Sequence, residues 1–229
     1  MKKLAIAITA VAAFTGSAVA ADLPVKAQYI APVVTAYNWT GCYVGAGGGY
    51  GMYNQDVSFP SAPETITLGG RGWFGTGQVG CDYQVMPSIV IGAFGDWNFG
   101  SIKGGSIFST VDEKMSWSWA AGGRIGWVAL PNLLAYVSGG YTEAHVDQID
   151  IDTATNIPAT TYKGWFLGSG YEYGLGFMPG LFWKTEYRFA DYQAQTVSVC
   201  DPLGCDPAFD SHKYVQKIRS ELVYRFNWH

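Results

Sequence analysis

The chain has 229 residues and a formal net charge of −4, with 14% charged and 16% aromatic residues. This acidic balance argues against a nucleic-acid-binding protein. After the N-terminus, no apolar run is long enough for a transmembrane helix, so any membrane crossing must use strands.

The N-terminus is typical of a secretory signal peptide. Lys2 and Lys3 precede an apolar run that is too short to span a bilayer, and Ala18-Val19-Ala20 forms a cleavage site of small residues. We predict that residues 1–20 are removed by cleavage between Ala20 and Ala21. An uncleaved membrane anchor is the alternative.

The rest of the chain alternates between segments with a period of two and segments rich in turn residues. Residues 21–38 contain two prolines and no clear period, which predicts a periplasmic leader before a folded domain at 39–229. Within that domain, apolar and polar side chains alternate as they do in β-strands. Eight strands are predicted, at about 41–53, 72–85, 89–99, 115–129, 133–145, 163–177, 181–191 and 214–226.

The predicted connections alternate between short and long. Three are tight turns centred on Pro87, Pro131 and Pro179, and four are long acidic loops, of which the longest follows Asp191 and ends near Lys213. Short periplasmic turns and long external loops are typical of outer-membrane barrels. The predicted fold is therefore all-β: an eight-stranded antiparallel up-and-down transmembrane β-barrel with short periplasmic turns and long extracellular loops.

The segment from 181 to 191 shows which face meets lipid. Trp183 and Tyr187 lie on one face, and Lys184, Glu186 and Arg188 lie on the other. Charges at consecutive inward positions cannot line a dry soluble core, but they can pair inside a closed barrel whose aromatic face meets hydrocarbon. A soluble lipocalin-like barrel is the alternative.

Ionisable residues recur at inward positions along the predicted strands. An eight-stranded barrel is only wide enough for side chains to fill, so we expect a salt-bridged plug, with a narrow gated channel as the alternative. The predicted interior network comprises Asp82, Asp96, Glu172, Glu186, Glu221, Arg124, Lys184, Arg188, Lys217, Arg219 and Arg225.

Tryptophans fall at the ends of the predicted strands and on their outward face, apart from Trp39, which precedes the first strand. This distribution predicts an aromatic girdle at each membrane interface. The loop-side girdle would contain Trp73, Trp97, Trp117, Trp119 and Trp165, and the turn-side girdle Trp127, Trp183 and Trp228.

The four cysteines suit an oxidising compartment. Cys42 and Cys81 lie nearly opposite each other if the first two strands form a hairpin centred near residue 62. Cys200 and Cys205 flank a short turn and could close a small external loop. We predict both disulfides, with free buried thiols as the alternative.

The sequence offers no catalytic or metal-binding pattern. The histidines lack metal-ligand spacing, and His145 and His212 are interpreted as solvated residues at the bases of loops. No Ser/His/acid spacing and no glycine-rich phosphate loop is present, so we predict neither an enzyme nor a cofactor.

Several short motifs resemble one known family, the small OmpA-like β-barrel surface proteins of alphaproteobacteria. The resemblance covers the whole mature chain except the loops, and the order and spacing of the motifs carry it. The matching segments are residues 21–24, 38–45, 77–80, 122–126, 136–140, 170–173 and 184–187.

The resemblance implies an eight-stranded outer-membrane protein without catalysis that contributes to envelope integrity and surface contact. Some relatives are porin-like, adhesive or haemin-binding. The implied partners are outer-membrane lipid, lipopolysaccharide, host or surface ligands, and the barrel-insertion machinery that reads a C-terminal aromatic such as Phe226 or Trp228.

Overall fold

The computed structural model describes residues 37–59, 65–105 and 112–227. Most of these residues are in β-strands. None of the described segments contains a helix of the length and apolar character needed to cross a membrane.

The described residues form ten strands, and eight of them are long. The remaining two, β6 and β7, form a small hairpin inside an external loop. The bounds are β1 Gly41–Ser58, β2 Thr65–Met86, β3 Ile89–Gly105, β4 Asp112–Leu130, β5 Leu133–Val146, β6 Ile149–Asp150, β7 Asn156–Ile157, β8 Thr160–Gly174, β9 Leu181–Asp201 and β10 Gly204–Asn227.

The eight long strands close into a ring. Each pairs antiparallel with the next long strand in the chain. The last long strand, β10, also pairs with the first along the whole length of β1, from Gly41 opposite Asn227 to Ser58 opposite Asp210. Closure pairs the backbone groups of the first and last strands, which would otherwise be unsatisfied in lipid. The predicted all-β, eight-stranded antiparallel barrel is therefore confirmed.

Two of the three periplasmic turns are as short as predicted, with Pro87 and Pro131 in two-residue turns. The third is longer, because β8 ends at Gly174 and residues 175–180 form the turn. The prediction of strand through 177 was therefore wrong. Gly180 has a φ of 83°, a conformation that favours glycine, and its carbonyl accepts the backbone N–H of Arg225 at 2.8 Å.

The strands extend further on the extracellular side than the sequence predicted. The predicted loop after Asp191 is largely a hairpin of β9 and β10, and only residues 202 and 203 connect them. Similarly, β1 reaches Ser58 and β3 reaches Gly105. The predicted loops were too long because polar, Thr- and Asp-rich strands above the membrane have the composition of loops.

These external strands have an apolar core of their own. Val57, Ile149, Ile157, Val197 and Phe209 are each at most 6% exposed and pack together. This cluster joins the β1–β2 hairpin, the small β6–β7 hairpin and the β9–β10 hairpin. The external loops are therefore partly ordered by packing.

Burial alternates along the membrane-spanning strands. On β9, Phe182, Lys184, Glu186 and Arg188 are buried, whereas Trp183 and Tyr187 are 43% and 46% exposed. Large apolar side chains are thus exposed on the outer wall, which is stable only against hydrocarbon. The lipid-facing orientation of the aromatic residues follows from this alternation.

A charge on this wall should be destabilising. Val137 lies near the middle of β5 and is 56% exposed, so we expect Val137→Arg to lower the free energy of unfolding by about 2 to 4 kcal/mol. Phe177→Arg, at the 77% exposed periplasmic turn, should change it by less than about 0.5 kcal/mol. Urea titrations in lipid bilayers would measure both, and equal effects would contradict the lipid-facing assignment.

Candidate functional site

The layer of the interior nearest the periplasm is a closed ring of two acids and two arginines. Arg124 on β4 donates to both oxygens of Asp82 on β2, and its Nη1 lies 2.6 Å from Glu172 Oε1 on β8. Arg225 on β10 contacts the same two acids, at 2.7 Å from Asp82 and 2.5 Å from Glu172. Two arginines balance two carboxylates, so this ring has no net charge, and each arginine contacts both acids.

A second neutral cluster fills the middle of the barrel. Glu186 lies 2.7 Å from Arg188 and 3.1 Å from Arg219, and Asp96 contacts the same two arginines at 2.8 and 3.2 Å. Lys184 Nζ lies 3.6 Å from Glu186 and 3.4 Å from Glu221. The cluster consists of Asp96, Glu186, Glu221, Lys184, Arg188 and Arg219.

Lys217 is the base of the predicted network that has no acid partner among the described residues. Its Nζ donates to Ser118 Oγ at 2.6 Å and lies 5.5 Å from the centre of the Phe74 ring. The hydroxyl and the ring face partly compensate the buried charge. The network therefore forms two neutral clusters with one additional lysine on their extracellular side.

A third buried contact was missed by the sequence analysis. Lys213 donates to Gln55 and to Glu113, and Lys213 is fully buried. All three residues fell in segments that were predicted to be loops. The period-two pattern that places them inward becomes visible only once the strands are known to extend this far.

Aromatic side chains close the periplasmic end. Trp39, to which no role was assigned, is fully buried and contacts Phe182 at 5.0 Å between ring centres. The Arg225 guanidinium lies 4.9 Å from the centres of both the Trp39 and Tyr43 rings. Because Trp39 precedes the strands, their periodicity could not place it inside the barrel.

Inward glycines allow long side chains to meet across an intervening strand. Gly92 on β3 is paired with both Asp82 on β2 and Arg124 on β4. A Cβ at Gly92 would overlap the Asp82 carboxylate, so the ion pair above it requires glycine. The same arrangement recurs at Gly47, between Thr76 and Glu221, and at Gly170, between Tyr136 and Glu186.

Both predicted disulfides are present. Cys42 on β1 is directly opposite Cys81 on β2 and bonded to it across the outer wall. Cys200 and Cys205 are bonded at the tip of the β9–β10 hairpin. The second bond closes a small external loop, as predicted, and this loop is the tip of a long hairpin.

The described tryptophans predicted for the girdles lie on the outer wall. On the extracellular side, Trp73, Trp97 and Trp165 are 74%, 49% and 51% exposed, whereas Trp117 and Trp119 are half-buried. On the periplasmic side, Trp127 and Trp183 are 60% and 43% exposed. Trp228 and the cleavage residues Ala20 and Ala21 lie outside the described residues.

Glu143 shares the outward parity of its lipid-facing neighbours, so the sequence required either a bulge or a position beyond the lipid. It lies on the outer wall, where Trp119 Nε1 donates to it at 3.1 Å and Tyr141 donates at 2.7 Å. Lys163 on β8 is directly opposite. These contacts place Glu143 at the polar edge of the extracellular girdle.

The extracellular surface is acidic and ordered by local contacts. The Asp152 carboxylate accepts the backbone N–H groups of Ala154 and Thr155 at 2.7 and 2.9 Å, and these hydrogen bonds lower its pKa. His212 Nε2 lies 2.8 Å from Asp191, and His145 stacks on Trp117. Each of these two histidines therefore has a local partner.

Breaking the ring nearest the periplasm should be costly. Glu172→Gln leaves Arg124 and Arg225 to share the single charge of Asp82, so we expect a loss of about 3 to 5 kcal/mol in the free energy of unfolding. Glu143→Gln, on the outer wall, should cost less than about 1 kcal/mol. Urea unfolding in bilayers, followed by tryptophan fluorescence, would compare the two. A Glu172→Gln protein as stable as the parent would disprove the importance of the ring.

The requirement for glycine beneath an ion pair can be tested on β3. We expect Gly92→Ala to destabilise the barrel by about 1 to 3 kcal/mol, since the added methyl group displaces the Asp82 carboxylate. Gly95→Ala is the matched control, because an outward Cβ there would lie 3.7 Å from the nearest atom, Ala120 O. The temperature at which the folded band disappears in heat-modifiability gels would rank the variants. An equal decrease of this temperature in both variants would contradict the requirement for glycine at residue 92.

Comparison with known proteins shows relatives across nearly the whole chain. No protein-family model matches. The 31 kDa outer-membrane immunogenic protein of Brucella melitensis is 29% identical over 248 residues, which cover 99% of this chain and 100% of the relative. The 22 kDa outer membrane protein of Rhizobium leguminosarum is 29% identical over 166 residues, covering 72% of this chain and 70% of the relative.

Solved outer-membrane proteins also align. The structure of OprG from Pseudomonas aeruginosa gives a TM-score of 0.49 at 10% identity and covers 83% of this chain and 98% of that one. Neisserial surface protein A gives 0.46 at 13% identity, covering 82% and 98%. From its closed ring, its apolar outer wall and its sequence relatives, the chain is an integral outer-membrane β-barrel protein that is similar in sequence to outer-membrane proteins of Brucella and Rhizobium.

Proposed function

We propose that the protein is a closed, non-catalytic barrel that contributes to envelope integrity and presents ordered loops at the cell surface. The observation that carries the proposal is the pair of neutral clusters across the interior, in which every acid contacts at least one base. Moving an ion through this interior requires these buried pairs to separate, and a separated buried charge costs several kcal/mol.

The free volume near the network supports a closed interior. A cavity beside Lys217 has a volume of about 10 Å³, and a second cavity, beneath the external loops beside Glu113, has about 20 Å³. Either is large enough for one water molecule at most. These volumes favour the plug over the alternative of a narrow porin-like channel.

The outer hairpins support a surface role. Their separate apolar core and the Cys200–Cys205 bond hold acidic segments in a defined shape above the membrane. Relatives named as immunogenic outer-membrane proteins agree with a structure that is displayed on the cell surface. We propose outer-membrane lipid and lipopolysaccharide as partners, with host or surface ligands at the loops.

The same proposal includes the route to the membrane. Residues 1–20 would act as a cleaved export signal and 21–38 as a periplasmic leader. The barrel-insertion machinery would engage β10, whose Phe226 is 52% exposed near its end.

Single-channel recording in planar bilayers tests the closed interior directly. We expect the purified protein to give no steady conductance steps between pH 6 and 8, since the ion pairs fill the barrel. Sustained steps from the unmodified protein would overturn the proposal and favour the channel.

A variant with a widened interior serves as the positive control. Replacing Arg188 and Arg219 with glycine removes two long side chains from the central cluster and should open a measurable conductance. Trp73→Gly, on the outer wall, should remain silent. The heat-modifiability of each variant would show that it is folded before recording.

A further inference from the structure

Four cationic side chains lie on the outer wall of the described barrel, and three of them are aligned. The described residues contain eleven Lys and Arg, of which seven are buried in the interior. Arg71 on β2 is directly opposite Lys103 on β3, which is directly opposite Lys114 on β4. The fourth, Lys163 on β8, is opposite Glu143 instead. We call Arg71, Lys103 and Lys114 the basic row.

A β-bulge on β4, seen as a register shift against both neighbouring strands, creates this alignment. The pairing of β3 with β4 shifts register between Phe99 and Ile102, and the pairing of β4 with β5 shifts between Met115 and Trp117. Both shifts meet β4 between Met115 and Trp117, and there the inward and outward positions of β4 exchange, since Met115 and Ser118 are both buried. The parity of β3 does not change. Without the bulge, the parity of the girdle residues would turn Lys103 outward but Lys114 inward, and the three charges would not share a face.

The basic row lacks the acidic partners that the interior bases have. Lys114 Nζ lies 3.3 Å from Asp147, but neither Arg71 nor Lys103 has an ion pair with any described residue. Like charges directly opposite each other on neighbouring strands repel and destabilise the sheet. Asp112 also lies on β4 toward the extracellular end, and it is opposite Gly105 rather than a member of the row. The row therefore has a deficit of negative charge.

Its height matches the outer lipid headgroups. On the same three strands, the next large outward side chains toward the membrane are Trp73, Phe99 and Trp117, which belong to the extracellular aromatic belt. Aromatic belts lie at the level of the headgroups, so a row directly on the extracellular side of the belt lies among the outer headgroups. Neighbouring strands are about 4.8 Å apart, which gives the row a span of about 10 Å.

We propose that the basic row binds the phosphate groups of outer-leaflet lipopolysaccharide. The inference deepens the lipid contact proposed above and rests on it. Arg71 offers a planar guanidinium that can hold a phosphate through two hydrogen bonds, and Lys103 and Lys114 add charge beside it. The bound phosphate relieves the repulsion within the basic row. The acyl chains of the same lipopolysaccharide molecule would lie along the aromatic outer wall on the membrane side of the row.

The experiment measures binding of purified lipopolysaccharide to the detergent-solubilised full chain by native mass spectrometry. The double variant Arg71→Gln and Lys103→Gln should raise the dissociation constant about 25-fold, because the loss of each cation should raise it about fivefold. Lys163→Gln is the matched control, since this outward lysine is at the same edge but faces Glu143, and it should change binding less than about twofold.

A chemically dephosphorylated lipopolysaccharide separates the phosphate contact from general lipid contact. It should bind the parent protein as weakly as the intact lipid binds the double variant. If it binds the parent as tightly as intact lipid does, or if the Lys163 variant loses as much affinity as the double variant, the basic row is not the site. The lipid contact itself would then stand. Loss of binding to every lipid by every variant would overturn both.

Discussion

The structure depends on one constraint: a barrel of eight strands has an interior that side chains must fill, and the charges placed there must be paired. Seven buried bases face six buried acids among the described residues. A buried charge without a partner costs several kcal/mol. The position of an acid on one strand therefore determines where a nearby strand must have a basic side chain. The interior is therefore a network of ion pairs to which six of the eight long strands contribute, and the one base without an acid, Lys217, is bonded to Ser118 instead.

Pairing across a curved wall in turn determines where the glycines lie. Where two residues on strands that are next but one to each other lie at the same level, their side chains can meet directly if the strand between them has a glycine there. Gly92 meets this condition for Asp82 and Arg124. Inward glycines such as Gly92 are thus a consequence of the charged interior.

The sequence was sufficient to predict the parts of the fold that obey a period of two. Inward charges such as Lys184 and Glu186 and outward aromatics such as Trp183 followed from alternation alone. The rest depends on information that alternation lacks. Polar strands above the membrane resemble loops in composition, so the inward position of Lys213 was not predicted. Lys114 was likewise missed because it fell in a predicted loop, and the bulge beside it reverses the parity without a marker in the sequence, so alternation alone would have turned it inward. Trp39 enters the interior from a segment outside the strands.

Charged side chains on the inner and outer faces of the barrel wall are neutralised in different ways. Inside, the charges are buried away from solvent, so each of the two clusters carries its own acids and is neutral. Outside, at the headgroup level, anions are abundant, and a strand can leave Arg71 and Lys103 without protein partners because the membrane supplies them. The surplus of negative charge in the external hairpins strengthens this contrast. Acidic residues dominate the surface above the membrane, and three of the four outward cations of the described barrel are concentrated where phosphate would lie.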